Sequence, residues 1–398
     1  MTSSSGRAGR YVQQPAGYRA FIPAPLPPTP PVEVDAALLA LLSRADQALG
    51  RLDGVAQTMP NADLFVAMYV RQEAVLSSQI EGTQSTLDDV LAFELDARPN
   101  DLPPDVGEVV NYVRAMNYGL ERLAALPLSL RLIREIHREL LQGVRGVERS
   151  PGEFRTAQNW IGAARAPLAQ AIFVPPPPAE MQAALDNFEK FLHGDGDLPA
   201  LIHCGLAHAQ FETIHPFLDG NGRVGRLLIS FLLVHRGVLQ RPLLYLSHFL
   251  KRHRAEYYDR LMAVRETGDW EGWLRFFLRG VAETAEAATA TARAIVALRE
   301  RHRALVQERG AGLSGLRLLD ALFERPLVNV NLAAERVGVT FTTASKLVEQ
   351  FVGLGLLEEI TGGQRRRIYR YTPYLALFEE QEPARAVMAP LQTTEVEA

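Results

Sequence analysis

Cysteine is almost absent: Cys204 is the only one in 398 residues. That excludes an intrachain disulfide and fits a reducing compartment, so a cytoplasmic location is expected. Long apolar runs are missing too. The longest, around LLISFLLV, is far too short to cross a bilayer, and the opening MTSSSGRAGR has no apolar signal segment. An excess of one charge is also lacking. With 42 Lys/Arg against 46 Asp/Glu the formal net charge is −4, so binding to nucleic acid or an anionic membrane has to come from a local patch. Gly-Lys-Ser/Thr occurs nowhere, which excludes a Walker phosphate loop. What remains is an ordinary globular composition, 47% apolar and 22% charged, in a chain long enough for two or more domains.

Periodicity and punctuation divide the chain. Residues 1–32 are rich in Ser, Gly and Pro and end in PAPLPPTPP, a composition that predicts a disordered arm. Residues 33–143 have helical spacing. ADLFVAMYVRQEAVLSSQIEG sets Leu64, Met68, Val75 and Ile80 along one side and stops at Gly82; LSLRLIREIHRELLQG repeats the pattern and stops at Gly143. Between 150 and 178, Pro and Gly punctuate the short segments NWIG and AIFV, which predicts a small hairpin or flap within a helical core spanning 144–285. The run after Trp270 is Ala-rich and then charge-rich, as a spacer helix would be, with 286–310 as its linker part. From 311 to 375, three short helices precede EEITGGQRRRIYRY, read as two strands turning at Gly362–Gly363. Three helices and a hairpin form a winged helix-turn-helix pattern. Residues 376–398 read as a loose tail. The fold class is mainly α, with a β-hairpin flap and a C-terminal winged helix.

One stretch interrupts the helical core with glycine and charge: HPFLDGNGRVGR, His215 to Arg226. GNGRVG formally matches the dinucleotide pattern G-x-G-x-x-G, from Gly220 to Gly225. A helix precedes it rather than a buried strand, and no acidic residue occurs between Asp219 and Glu256 to hold a ribose, so a Rossmann site is excluded. Phosphate binding still fits. Gly220 and Gly222 let backbone approach a ligand, and a helix opening near Gly222 presents free N–H groups and its positive end. Arg223 and Arg226 are three apart and share a face, forming a fork for polyphosphate oxygens. Asp219 is a hard oxygen ligand placed for a phosphate-bound Mg²⁺. His215 is the group suited to act as a base near neutral pH. Together these residues describe transfer from a nucleotide to a hydroxyl.

HPFLDGNGRVGR resembles the core motif of Fic-domain proteins, HxFx(D/E)GNGRxxR, with every fixed position present. PGEFRTAQNWIGA, FVPPPP, AHAQFETIHPF and YYDRLMAVRETGDWEGW also resemble stretches of longer bacterial Fic proteins that carry a C-terminal winged helix, so the resemblance covers roughly residues 60–280. It implies a Fic-type helical bundle that transfers AMP from ATP to a Ser, Thr or Tyr hydroxyl of a protein. By position, His215 deprotonates the acceptor, Asp219 holds Mg²⁺, and Gly220, Asn221 and Gly222 form the anion cradle beside Gly225. Arg223 assists there and Arg226 reaches the γ-phosphate. Phe217 anchors the loop in the core. The flap around Ile161, Gly162, Ala163 and Ala164 aligns the target, and Tyr257 and Tyr258 lie near the adenine, although core packing explains the tyrosine pair equally well. Some Fic relatives transfer UMP, phosphate or phosphocholine instead, and dimerisation and self-modification are further implications of the resemblance.

Upstream, SSQIEG resembles the family's inhibitory pattern (S/T)xxxE(G/N), with Ser77, Glu81 and Gly82 in place. Ser77 and Glu81 are four apart on one helix face. Glu81 sits near that helix's C-terminus, where a carboxylate opposes the dipole and a partner cation offsets the cost. The resemblance names Arg226 as that partner, which implies autoinhibition; members of this architecture also use the glutamate to remove AMP. A solvated glutamate is the plain alternative. His203, Cys204 and His208 fit no common zinc spacing with His215 and read as packing residues. In the wing, Arg365, Arg366, Arg367 and Arg370 suit DNA phosphate, but residues 310–372 hold eight Lys/Arg against six Asp/Glu, so DNA and protein contacts both stay open. A DNA-binding regulator that only senses ATP is therefore the rival reading.

Overall fold

Five buried polar or charged side chains, His203, His208, Gln210, Glu212 and Thr213, lie on one central helix, and the fold is built around it. The structure, a computed structural model, describes residues 6–58, 62–95, 102–144, 149–162, 167–194, 198–363 and 366–379. In chain order, helices α1 (Ala36–Thr58), α2 (Ala62–Ile80), α3 (Leu87–Glu94), α4 (Val106–Leu123) and α5 (Leu130–Leu140) are followed by the flap. Then come α6 (Pro178–His193), α7 (Ala200–Ile214), α8 (Asn221–His235), α9 (Ser247–Arg252), α10 (Arg254–Thr267) and α11 (Trp270–Glu308). Local chemistry starts several of them. Thr86 and Asp89 form a capping box on α3, Ser129 caps α5, Asp269 caps α11, and Pro178 opens α6. No helix among the described residues is long and apolar enough to cross a membrane.

Every residue of α7 from Leu201 to Ile214 is buried. A helix apolar all round has to be covered on all sides, and α6, α8, α10 and α11 cover this one. Its polar side chains are spent locally. His203 bonds Phe191 O at 2.8 Å, His208 bonds Gly225 O and the Tyr257 hydroxyl at 2.9 Å each, and Gln210 donates to Ala24 O. The helix carrying Ser77, α2, lies against α4, α8 and α9.

Three sequence expectations differ from the structure. The described part of the N-terminal arm is ordered: β1 (Gly9–Gln13) and β2 (Arg19–Pro23) pair antiparallel, with Tyr11 opposite Phe21. Phe21 is buried, its ring 6.0 Å from Phe173, and its N–H donates to Val174 O at 2.9 Å. A lone hairpin is marginal in water; this one is held by the surface it packs on, which composition does not report. The Ala-rich part of the expected spacer is packed rather than solvated. It continues the 39-residue α11, and α1 runs along it, with Ala285, Ala288, Ala292, Ile295 and Leu298 buried.

The C-terminal region contains α12 (Gly312–Glu324), β3 (Leu327–Val328), α13 (Val330–Val337), α14 (Phe341–Gly353), β4 (Glu358–Glu359), β5 (Tyr369–Arg370) and α15 (Thr372–Glu379). Its sheet is antiparallel in the order β3-β5-β4. The third difference is at the tail. Tyr374, Leu375 and Phe378 are buried, with Phe378 5.5 Å from the Tyr69 ring on α2, so the chain through Glu379 is a docked helix. Apolar residues at i, i+1 and i+4 supply its buried face. The rest of the expected tail, 380–398, lies outside the described residues.

Candidate active site

The loop between α7 and α8 is shaped by local chemistry. Pro216 disfavours a helical conformation at His215, and His215 ends α7 in the left-handed region at φ 49°, ψ 60°. Gly220 repeats that geometry at φ 75° and starts α8. Between them Asn221 closes the loop with both ends of its amide: Oδ1 accepts the Phe217 N–H and Nδ2 donates to Phe217 O, each at 2.8 Å. Phe217 is fully buried and stacks on His137 at 3.7 Å and 8°. His137 Nδ1 accepts the Gly152 N–H at 2.8 Å, so Nε2 carries the proton that meets Asp219 O at 3.0 Å. Burial pushes His137 down to about 4, keeping it neutral.

His215 is buried as well, and desolvation moves its pKa to about 4. Glu212 opposes that shift; Arg155 and Arg265 reinforce it. The neutral imidazole is the form that can accept a proton. Burial also raises the Glu212 carboxyl, against the pull of His215 and Arg226.

On the other side of the loop the first N–H groups of α8 lack intrahelical acceptors and point outward. A carboxylate occupies that end. Glu81, the residue following α2, places Oε1 2.6 Å from Arg226 Nη2 and Oε2 3.3 Å from Arg223 Nε. A Cβ added at Gly222 would collide with Glu81 Oε1, so glycine is what lets the acid approach the helix start. Ser77 completes the clamp: its hydroxyl accepts from Arg226 Nε at 2.7 Å and its carbonyl from Nη2 at 3.0 Å. Burial works against the Arg226 charge, but Glu81, Tyr257, Tyr258 and Glu212 outweigh it and hold its pKa above the ordinary value. Gly82, at φ 105°, turns the chain immediately afterwards.

Arg223 meets three carboxylates: Glu81, Glu108 of α4 at 3.2 Å and Asp219 at 3.5 Å. Asp219 Oδ1 also accepts the Gly220 N–H at 2.6 Å. Ser77 is fully buried, so Ser77→Ala is expected to lower the unfolding free energy by about 1.5–3 kcal/mol, the worth of a hydrogen bond to a charged group. Urea denaturation of the two proteins measures it.

The structure thus brings Ser77, Glu81, Asp219, Gly220, Gly222, Arg223 and Arg226 to one end of α8. Gly225 is elsewhere: it faces α7, where a Cβ would strike Glu212, so close helix packing is its role rather than phosphate contact. Tyr257 belongs to the core, 1% exposed, with its hydroxyl on His208. Tyr258 is 38% exposed, with the Arg254 guanidinium 5.7 Å from its ring. In the flap, Ile161 pairs with Phe173 through bonds of 2.8 and 3.1 Å, and Gly162 follows; Ala163 and Ala164 lie outside the described residues. In the expected wing, Arg370 pairs with Asp88 at 3.4 Å and Arg367 donates to Gly363 O, while Arg365 lies outside the described residues.

Glu108, His137, Arg155, Asn159, Glu212 and Arg265 went unassigned in the sequence. Glu108 and His137 did leave a signal, because each interrupts an apolar stripe: Glu108 among Val106, Val109 and Val110, and His137 among Ile133, Ile136 and Leu140.

A family described as Fic/DOC family N-terminal matches residues 39–121, and the Fic/DOC family matches 127–233. Protein adenylyltransferase Fic of Drosophila grimshawi is 32% identical over 182 residues, 45% of this chain and 33% of that protein. The Aedes aegypti protein of the same name is 34% identical over 163 residues, 40% of this chain and 28% of that protein. This chain therefore spans about a third of the length of these curated relatives. A Fic family protein from Desulfovibrio desulfuricans G20 superposes with a TM-score of 0.54 at 17% identity, covering 86% of this chain and 97% of that one. A Fic domain containing signaling protein from Bacteroides thetaiotaomicron VPI-5482 gives 0.51 at 18%, covering 63% and 97%. At such identities the likeness is one of fold. The loop from His215 to Arg226 and the segment from Ser77 to Glu81 fall within the two matched regions, so residues 39–121 and 127–233 are this chain's Fic/DOC regions.

Proposed function

We propose that the chain is a protein adenylyltransferase restrained by its own Glu81. The observation that carries this reading is the Glu81 carboxylate seated over Gly222 and bridging Arg223 to Arg226. An acid of this chain is held where the end of a helix, two guanidiniums and a bare glycine suit an anion. A nucleotide's terminal phosphate has the same needs.

In the proposed reaction the acceptor hydroxyl oxygen bonds to the α-phosphorus of ATP, the bond from that phosphorus to the β-phosphate oxygen breaks, and pyrophosphate leaves. His215 takes the hydroxyl proton. The N–H groups at the start of α8 and Arg223 hold phosphate oxygens, and Arg226 takes the γ-phosphate once Glu81 withdraws. In the flap the Ile161 backbone is held by Phe173, which leaves Gly162, the next residue, to align the acceptor segment by backbone pairing, and the exposed face of Tyr258 suits the base.

Mg²⁺ bound to a nucleotide needs only one or two protein carboxylates, because phosphates and water supply the rest. Among the described residues no group of three or more His, Cys, Asp or Glu is placed to hold a metal. Asp219, a carboxylate at the cradle's rim with its side chain 22% exposed, fits the sparser mode. It would hold the ion, which when bound offsets charge on the phosphates.

With the imidazole pKa near 4, the rate is expected to stay flat from pH 8 to about pH 5 and to fall below that. The sign follows from the cause: burial, Arg155 and Arg265 disfavour imidazolium, so the base form persists at lower pH than for an exposed histidine. The groups facing His215 are Glu212 on α7, Arg155 before the flap and Arg265 on α10. A pH–rate profile of single-turnover labelling checks it; a limb near pH 6.5 contradicts it. The proposed activity itself is tested by incubating the Glu81→Gly protein with mixed nucleotides and reading the added mass. An adduct of AMP supports it, and no adduct from any nucleotide refutes it.

A further inference from the structure

The last turn of α7 leaves carbonyl groups that no helical N–H meets, in a buried setting where each needs a donor. Arg155, 2% exposed, supplies them from the side. Its Nε donates to His215 O at 3.0 Å and its Nη2 to Ile214 O at 3.5 Å, while its own N–H donates to Pro216 O at 2.9 Å. The same guanidinium reaches the opposite way, to Pro176 O at 2.5 Å and Ala157 O at 3.2 Å. Pro176 closely follows Phe173, the flap residue paired with Ile161. Asn159 runs parallel to this tie, donating to Phe217 O at 2.8 Å and His215 O at 3.4 Å.

Carbonyl oxygens, not a carboxylate, surround this charge. A guanidinium buried on those terms is costly, yet it suits a task that needs a planar fork of five donors. The task is visible at His215. A non-glycine residue in the left-handed region persists when its surroundings over-determine it, and here one side chain bonds the carbonyls on both sides of the His215 α-carbon. Arg265 helps from the far side, donating to Glu212 O at 3.0 Å and lying 3.8 Å from the Phe173 ring.

We infer that Arg155 is a positioning residue for the proposed transfer: it ties the left-handed backbone of His215 to both sides of the flap, so that the base and the element aligning the acceptor hydroxyl keep one register. The inference rests on the adenylyltransferase reading. It places the device outside the nucleotide cradle, because none of the Arg155 contacts is with Gly222, Arg223 or Arg226.

The test uses the full chain carrying Glu81→Gly, with Arg155→Gln and Arg155→Lys added separately. At saturating ATP, Arg155→Gln is expected to lower kcat by about 100-fold, the cost of a misplaced catalytic group, with the KM for ATP within about twofold. It also moves the His215 titration upward, followed by NMR of carbon-13-labelled histidine without nucleotide, because a cation opposing imidazolium is gone. Arg155→Lys keeps the charge but only a point donor. Its kcat falls by about tenfold, and the titration stays in place. Unchanged kcat in either folded variant overturns the inference, as does a kcat loss matched by an equal rise in KM for ATP. Should Arg155→Gln not fold, the lysine variant decides alone. Should the Glu81→Gly parent not label at all, the adenylyltransferase reading fails; the histidine titration then still judges Arg155, and an unmoved titration in Arg155→Gln overturns its link to His215.

Discussion

Glu81→Gly raises AMP incorporation from labelled ATP by about 100-fold, the scale on which one preorganised electrostatic contact acts in a dry site. In the resting chain the Arg226 fork is engaged at Nε and Nη2, by Glu81 at 2.6 Å and by the Ser77 hydroxyl and carbonyl. A γ-phosphate reaching the same guanidinium has to displace a carboxylate already in place, and its own negative charge repels that carboxylate until it moves. Removing Glu81 frees Arg226, unloads one of three acids from Arg223, and clears the space over Gly222. A second readout separates this from a general loosening of the fold. Without Glu81 a buried guanidinium is short of countercharge, which destabilises the variant, and ATP restores what is missing. ATP should therefore raise the Tm of Glu81→Gly more than that of the unaltered chain. Equal labelling and equal ATP-induced shifts in the two proteins end the restraint reading.

Adding His215→Ala to Glu81→Gly abolishes the gained labelling, a loss of about 100- to 10,000-fold for a general base. Among the described residues neither nearby candidate is placed to replace it. Glu212 is buried beneath it against Gly225, and His137 is spent between Gly152 N–H and Asp219 O. The substitution leaves the start of α8, Arg223 and Arg226 untouched, so ATP binding by calorimetry should stay within a few-fold of the parent. That pairing is the informative one: binding kept and transfer lost assigns His215 to chemistry. Labelling that survives the double substitution shows that another group takes the proton, and loss of binding alongside labelling shows that the loop has collapsed.

Local rules carried most of the loop's legibility. Pro216 after His215, Gly220 at the start of α8 and Gly222 beneath the anion site each answer a backbone demand within a few residues, so HPFLDGNGRVGR reads as a site before any fold is known. Helix stops at Gly82 and Gly143 were legible for the same reason. The N-terminal hairpin was not, because its stability comes from Phe21 packing near Phe173 rather than from its own residues. Tyr257 and Tyr258 are neighbours in sequence with opposite fates, one bonded to His208 in the core and one partly exposed; only the orientation of α10 separates them.

By itself the sequence determined the helical character of the core, the shape of the loop and the chemistry of its side chains, since φ/ψ preference, capping and charge are short-range properties. Only the tertiary structure decided which distant groups close the site. Glu81 reaches Arg226 across 145 residues and Glu108 reaches Arg223 across 115, because α2 and α4 pack on α8. A carboxylate's partner depends on which surfaces are buried together, and no local preference of the chain encodes that.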